Sequence, residues 1–592
     1  MFDRFSKAYR NPVGAVKEQT EVTFTVKPPR SLGVREAFLE IMPDGEAPLR
    51  LPLVWEDTSF GTDCYRASFC PQTGLYFYSF LLLTGKGELR LSEQGRTTAL
   101  KNASEPFTPF QLTAYDALFR TPDFLKGGVI YQIFPDRFCR SELRTPDRGR
   151  TLHENFFEAP DYHNDPLKIT NSDFFGGDLN GITQKLDYLS SLGVTVLYLN
   201  PIFESYSNHR YDTGDYEKID PLLGTEEDLR RLFSEAKKRG IAVLLDGVFS
   251  HTGADSRYFN KFGTYSSVGA AQSEQSPFSP WYDFQHFPDR YTCWWGVWSL
   301  PCVNETAPSF LSFITGENGI ARRYIRLGAS GWRLDVADEL PDGFLDAFRT
   351  AVKAENPDAA VLGEVWEDAS NKIAYGARRR YLLGKQLDSV MNYPFRSAIL
   401  SFVRDGDAAF FADTVLSVCE HYPPPVLHGL MNMLSTHDTP RALTALAGEA
   451  ANGRDRDFQA RTRLSESELP RAYRLLLLAS AVQYTLPGTP SLYYGDETGL
   501  QGYGDPFNRA PFPWGSENET LLAAFRFLGE LRREISAFAP FTLLAVSEHA
   551  VCYRRGRVTV YANAGKTAEK LLGREIPAEK CVFTVDGTEL TW

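Results

Sequence analysis

Between residues 129 and 494 short apolar runs recur eight times, at 129–134, 194–200, 241–248, 331–336, 360–365, 387–392, 430–436 and 491–494. Four to eight continuous apolar residues bounded by turn formers read as a strand covered on both faces, the kind found in parallel sheets. Amphipathic stretches at 181–192, 225–239, 340–356 and 471–485 lie between the runs. One of them opens with Thr225 and has Asp228 three positions on, a cap-like signal for a helix start. Parallel strands need long, usually helical crossovers, so the rhythm predicts an α/β fold: a closed (β/α)8 TIM barrel. Such a barrel gathers its chemistry at the C-terminal ends of its strands.

Those ends are rich in acids and histidines. The third run closes on Asp246 and is followed by His251, the fourth carries Arg333 and Asp335, the fifth Glu364 and Trp366, and the seventh leads into His437 and Asp438. Side chains two apart on a strand share a face, so Arg333 and Asp335 are expected side by side, the cation favouring the ionised carboxylate. Taken singly, each acid could cap a helix or form a structural ion pair. Together they place four carboxylates and two histidines at one mouth. Cleaving a glycosidic bond with retention needs a nucleophilic carboxylate and a second carboxyl group that gives and then takes a proton, about 5–5.5 Å away. Asp335 and Glu364 fit those two parts. An apolar ring such as Trp366 beside Glu364 would favour its protonated form.

The flanks read differently. Alternating strands at 22–26, 35–41, 65–69 and 75–83 make residues 1–120 an N-terminal β-sandwich, and residues 516–592 read as a helix followed by a C-terminal antiparallel β domain. The barrel then occupies 121–515. It is interrupted at 250–315 by a segment rich in Gly, Ser, Pro and aromatics, among them Trp281, Tyr282, Trp294, Trp295 and Trp298. Long insertions of this kind are usually functional, and one or two of these rings are expected to touch substrate while the rest fill a small core. A net charge of -12 argues against nucleic acid as a partner. No run approaches the roughly 20 apolar residues of a membrane span, and no signal-peptide pattern opens the sequence, so a cytoplasmic location away from the membrane is expected. The eight scattered cysteines show no zinc spacing and read as reduced thiols.

In residues 246–251, 331–339 (GWRLDVADE), 364–366 and 437–438 the chain resembles the α-amylase superfamily, glycoside hydrolase family 13. Further matches are 128–138, 209–213 (HRYDT) and 488–497. The resemblance implies an inserted B domain within the barrel, Asp335 as nucleophile, Glu364 as acid/base and Asp438 as transition-state stabiliser. It further implies substrate contacts from Arg333, His251, His437, Tyr211, Asp212, Asp246 and Trp366. The N-terminal sandwich and residues 300–305 are similar to the neopullulanase, cyclomaltodextrinase, maltogenic amylase and amylopullulanase branch. There the sandwich is a starch-binding-type module that often joins two subunits, which implies a possible homodimer. The implied substrates are α-glucan oligosaccharides: maltooligosaccharides, cyclodextrins, pullulan or starch fragments, cut at α-1,4 bonds, with α-1,6 cleavage left open. Transglycosylation is the alternative within the same chemistry. A catalytically inactive glucan-binding partner protein is the alternative outside it, and the intact carboxylates argue against that. Ser250 and Glu339 depart from the ligands of calcium-dependent members, and the acidic calcium loop after the first strand is missing. Asp178 is then a remnant of a calcium site, and no cofactor is expected to be required.

Overall fold

A computed structural model describes residues 1–162 and 169–590, which form two compact units. The first comprises residues 1–120 with 367–388 and 412–427. Its ten-stranded sheet is antiparallel except where Phe110–Tyr115 meets Val16–Lys17. The long strand Leu49–Ser59 pairs with Val34–Pro43 on one side and with Thr62–Phe69 on the other. Strands from both sides contribute to one core around Phe24, Leu39, Tyr78, Phe80 and Leu112, which is the expected sandwich. Segments 367–388 and 412–427 are tied to it by polar contacts. Gln111 donates to Ser370 Oγ at 2.9 Å, and the buried Arg10 meets Glu420 at 2.8 Å.

The second unit holds the barrel. Its strands are β1 (Val129–Ile133), β2 (Val194–Leu199), β3 (Ala242–Gly247), β4 (Gly331–Leu334), β5 (Ala360–Gly363), β6 (Ser389–Val390), β7 (Met431–Met433) and β8 (Thr489–Tyr493). Seven parallel pairings run β6-β5-β4-β3-β2-β1-β8-β7, and a parallel bridge between Met391 and Met431 closes the ring. Every predicted run overlaps one strand, in the predicted order, β8 beginning two residues before its run. Ile130, Val196, Tyr198, Leu244, Leu362 and Met431 fill the interior, so the barrel is a packed core rather than a pore. Gly331 opens β4 because a Cβ there would lie 2.4 Å from the Ala360 carbonyl oxygen of β5. The helix Glu226–Lys238 starts with the full capping box of Thr225 and Asp228.

The segment after β3 carries one short hairpin, Phe284–His286 with Arg290–Tyr291, around a small aromatic core. Trp281 and Tyr282 are buried in that core, Trp281 against Tyr258 at 5.1 Å and Tyr282 against Phe259 at 4.9 Å. Helix Pro308–Thr315, at the end of the predicted insertion, packs on the barrel through Phe310 and Phe344. After helix Glu519–Glu534 comes a five-stranded antiparallel sheet. Among the described residues all eight cysteines are free, and no helix is long and apolar enough to cross a membrane.

Beside β8 lies a buried carboxyl that the rim does not use. Glu497 is fully buried and accepts hydrogen bonds from Tyr131 at 2.6 Å and Tyr188 at 2.8 Å. Burial pushes its carboxyl up to about 7 despite these two donors. Folding therefore binds this proton more tightly than the unfolded chain does. The stability it contributes is complete below about pH 4 and is lost as pH rises through 7. Glu497→Gln, neutral at every pH, is expected to melt no higher than the parent at pH 4.5. By pH 8 it should have gained on the parent by roughly 2–3 kcal/mol. Parallel Tm–pH curves for the two proteins would refute this.

Candidate active site

The rim is organised by an abrupt end to β4. The expected strand ran to Val336, but pairing stops at Leu334 and Val336 turns into the left-handed region at φ 34, ψ 71. Positive φ is a genuine outlier for a β-branched residue, and such strain persists only where the surroundings enforce it. Here the turn aims the Val336 amide at Glu364 Oε2, 2.9 Å away, while the preceding amide of Asp335 donates to the Gly247 carbonyl at 3.0 Å. The strained residue thus anchors two acids on two neighbouring strands.

Arg333 lies fully buried beneath them. Its Nη1 donates to Asp246 Oδ1 at 2.7 Å and to Asp335 Oδ1 at 2.8 Å, and its Nη2 donates to Glu364 Oε2 at 2.6 Å. Asp246 is further held by the hydroxyls of Tyr198 at 2.5 Å and Tyr211 at 2.7 Å. On the other side, Glu364 Oε1 accepts from Trp366 Nε1 at 3.0 Å, and Trp366 stacks on Tyr393 with ring centres 4.4 Å apart.

Arg333 lowers the pKa of Asp335 as expected, but it does not carry the balance to the ionised form. Burial pushes the Asp335 carboxyl well above the usual carboxylate range. Arg333 opposes the shift, while Glu364, Asp246 and Asp438 reinforce it. One guanidinium cannot offset several clustered carboxylates, so the cluster retains protons that an isolated pair would lose. Nor is Trp366 only an apolar wall: it is a hydrogen-bond donor to Glu364, and 49% exposed.

Asp438 faces this cluster with its side chain 32% open to solvent, yet desolvation by the surrounding protein and the nearby Glu364 push its carboxyl up to about 7. His437 sets its orientation. Gln132 Nε2 donates to His437 Nδ1 at 2.9 Å, which leaves Nε2–H to meet Asp438 Oδ2 at 3.1 Å. Burial keeps His437 neutral by holding its pKa well below the usual imidazole range. Tyr211 stacks on the His437 ring, 5.0 Å apart and within 3° of parallel. His251 is also kept neutral by burial, with its pKa lowered to about 4. Its Nδ1 meets Ser250 Oγ at 3.0 Å, and its Nε2 is buried with no partner among the described residues.

Two predicted positions stand apart from the cluster. Asp212 is buried behind Tyr211, where both its oxygens are engaged by Ser207, so it staples the loop that carries Tyr211. Asp178 caps helix Leu179–Gln184. It accepts from Gly181 N at 2.6 Å and from Ser141 N and Oγ at 3.2 and 2.7 Å. Ser250 and Glu339 are likewise engaged, by His251 and Trp295. Each of these three residues is thus already hydrogen-bonded within the protein. No group of three or more His, Cys, Asp or Glu suited to a metal occurs among the described residues.

Several contributors carried no signal of their own. Tyr198 and Tyr393 look like core tyrosines, and Gln132 and Asn200 look like ordinary strand polar residues. Arg509 is buried, 3.8 Å from Asp438 and 2.9 Å from Asp505. Its place in Gly504-Asp-Pro-Phe-Asn-Arg509, a tight turn after the last strand, was the available clue.

Comparison with known proteins accords with this arrangement. The family described as "Alpha amylase, catalytic domain" matches residues 132–319 and 315–525. An amylopullulanase from Thermoanaerobacter thermohydrosulfuricus is 34% identical over 99% of this chain and 42% of its own length. The chain therefore spans less than half of that relative. A cyclomaltodextrinase from Geobacillus thermopakistaniensis is 36% identical over 78% of this chain and 71% of its own. Among solved structures, the type III pullulan hydrolase from Thermococcus kodakarensis superimposes with a TM-score of 0.67 at 27% identity, covering 98% of this chain and 99% of that one. The chain belongs to the alpha-amylase family.

Proposed function

We propose that this protein is a retaining α-glucan hydrolase, and the observation that carries the proposal is Arg333 holding Asp335 and Glu364 on its two outer nitrogens. Sharing one guanidinium makes the two carboxyl groups near neighbours, as a double displacement requires. In the first step an Asp335 oxygen attacks the anomeric carbon. The Glu364 proton passes to the departing glycosidic oxygen, and a glycosyl ester remains on Asp335. In the second step Glu364 takes a proton from water, which attacks the same carbon and frees Asp335. Arg333 is the group that favours the Asp335 anion, against the burial and the neighbouring acids that favour its neutral form. Asp438, oriented by His437, bonds sugar hydroxyls as positive charge develops on the ring, and His251 offers its unpartnered Nε2 to another hydroxyl. Tyr211 packs on the sugar being cleaved.

The substrates we propose are maltooligosaccharides, cyclodextrins, pullulan and starch fragments, opened chiefly at α-1,4 bonds. The names of the relatives support this: amylopullulanase, cyclomaltodextrinase and type III pullulan hydrolase. Transglycosylation needs only a sugar hydroxyl in place of the second-step water. We also propose that calcium is not required, because Ser141 and Gly181 already satisfy Asp178 and a calcium site needs six to eight oxygens.

Asp335→Asn and Glu364→Gln should each lower kcat by about 10³-fold or more while leaving Tm nearly unchanged. Substantial turnover by Asp335→Asn would end the assignment. Proton NMR of the first products should show the α-anomer before mutarotation; a β-anomer would mean inversion. Digestion of pullulan is expected to yield panose, the product of α-1,4 cleavage, whereas maltotriose would identify α-1,6 cleavage. Dialysis against EDTA should leave rate and Tm as they were. A loss restored by added calcium would show a site that these residues do not suggest.

A further inference from the structure

Within the aromatic insertion, Trp294 and Trp295 are placed unlike the buried Trp281. Trp295 is 75% exposed and sits in the left-handed region at φ 48, ψ 32. A bulky residue rarely adopts that conformation, and strain of this kind gathers at ligand clamps. Its indole stacks on Trp294 with ring centres 4.9 Å apart and planes within 5°, so one face is covered and the other is open. Its Nε1 donates to Glu339 Oε1 at 3.1 Å. Glu339 belongs to the short turn Ala337–Glu339 that follows Asp335 and Val336, so the exposed ring is fixed to the same turn that ends the catalytic strand.

A second, independent feature lies under the stack. The Trp294 ring is 5.3 Å from that of His251. The Trp294 Nε1–H is buried without a partner among the described residues. Buried donors are costly to leave unmet. An unmet donor on the stacked pair, beside an open aromatic face, suits a ligand that offers hydroxyls at its edge and C–H bonds on its face. A pyranose ring has both.

We infer that Trp294 and Trp295 form a two-ring platform for a glucose unit of the α-glucan chain beyond the one held by Tyr211, and that Glu339 is the positioning residue that fixes it. This rests on the glucan reading above. A chain long enough to reach the platform gains a stacking contact, and one too short to reach it gains none. The platform therefore acts as a length filter for the reaction at Asp335.

The test uses the full chain with maltooligosaccharides from three to seven glucose units. For the longer ones Trp295→Ala is expected to raise KM about three- to tenfold with kcat within twofold, leaving the shortest cleaved substrate unaffected. Trp295→Phe should retain most of the affinity. Glu339→Ala should copy the KM effect of Trp295→Ala, and Glu339→Gln, which keeps a side-chain carbonyl to accept the indole N–H, should restore it. In the Asp335→Asn background, titration calorimetry with maltohexaose should show the same loss on adding Trp295→Ala. The platform is refuted if Trp295→Ala matches the parent at every length. It is also refuted if kcat falls equally at every length together with Tm, which would mark Trp295 as a brace. A parent enzyme that cleaves no α-glucan overturns both this inference and the proposed function, whereas an active parent with an indifferent Trp295→Ala overturns this inference alone.

Discussion

One buried guanidinium sets the terms for the rest of the rim. Arg333 is surrounded by Asp246, Asp335 and Glu364, and no solvent reaches it. A charge in that position is tolerated only when it is paired and hydrogen-bonded. Conversely, three carboxylates so close would repel one another without it. The arrangement is therefore mutually dependent: the acids make the arginine affordable, and the arginine lets the acids approach.

The barrel supplies what this cluster needs most, a rigid frame with adjacent strand ends. β3, β4 and β5 are consecutive neighbours in the ring, so Asp246, Arg333 and Glu364 arrive from three strands separated by single sheet spacings. The interior of the ring is largely apolar. Two local departures adapt that regular frame. Val336 leaves the strand conformation to turn its amide toward Glu364, and Trp295 leaves the common backbone regions to expose its ring. Val336 directly follows Asp335, and Trp295 is hydrogen-bonded to Glu339 in the turn beyond it.

Polar networks behind the rim fix orientation without joining the chemistry. Gln132 decides which nitrogen of His437 carries the proton. Tyr198 and Tyr211 share Asp246, and Asn200 in turn donates to the Tyr211 hydroxyl at 2.8 Å. Asn508 spans the backbone oxygens of Thr436, His437 and Thr439, holding the loop that presents Asp438. These residues come from β1, β2, the loop after β2 and the turn after β8, and it is their convergence that gives them a role.

The sequence by itself determined the barrel, its eight strands in order, the sandwich before it, and the acids at the rim. These follow from periodicity and from residue type at the ends of apolar runs, both local properties. Asp335, Glu364 and Asp438 were legible because they recur together with Asp246 and two histidines at the ends of the runs, where any one alone could cap a helix or form a structural ion pair. The tertiary structure decided the rest: that Arg333 serves three acids rather than one, that Asp212 and Asp178 bond the protein's own donors, and which insertion aromatics are core and which are exposed. It also brought Tyr198, Tyr393, Gln132 and Arg509 to the rim from distant parts of the chain. The physical reason is that charge state and hydrogen-bond partnership depend on all neighbours at once. Those neighbours are set by chain closure over hundreds of residues, which no local pattern records.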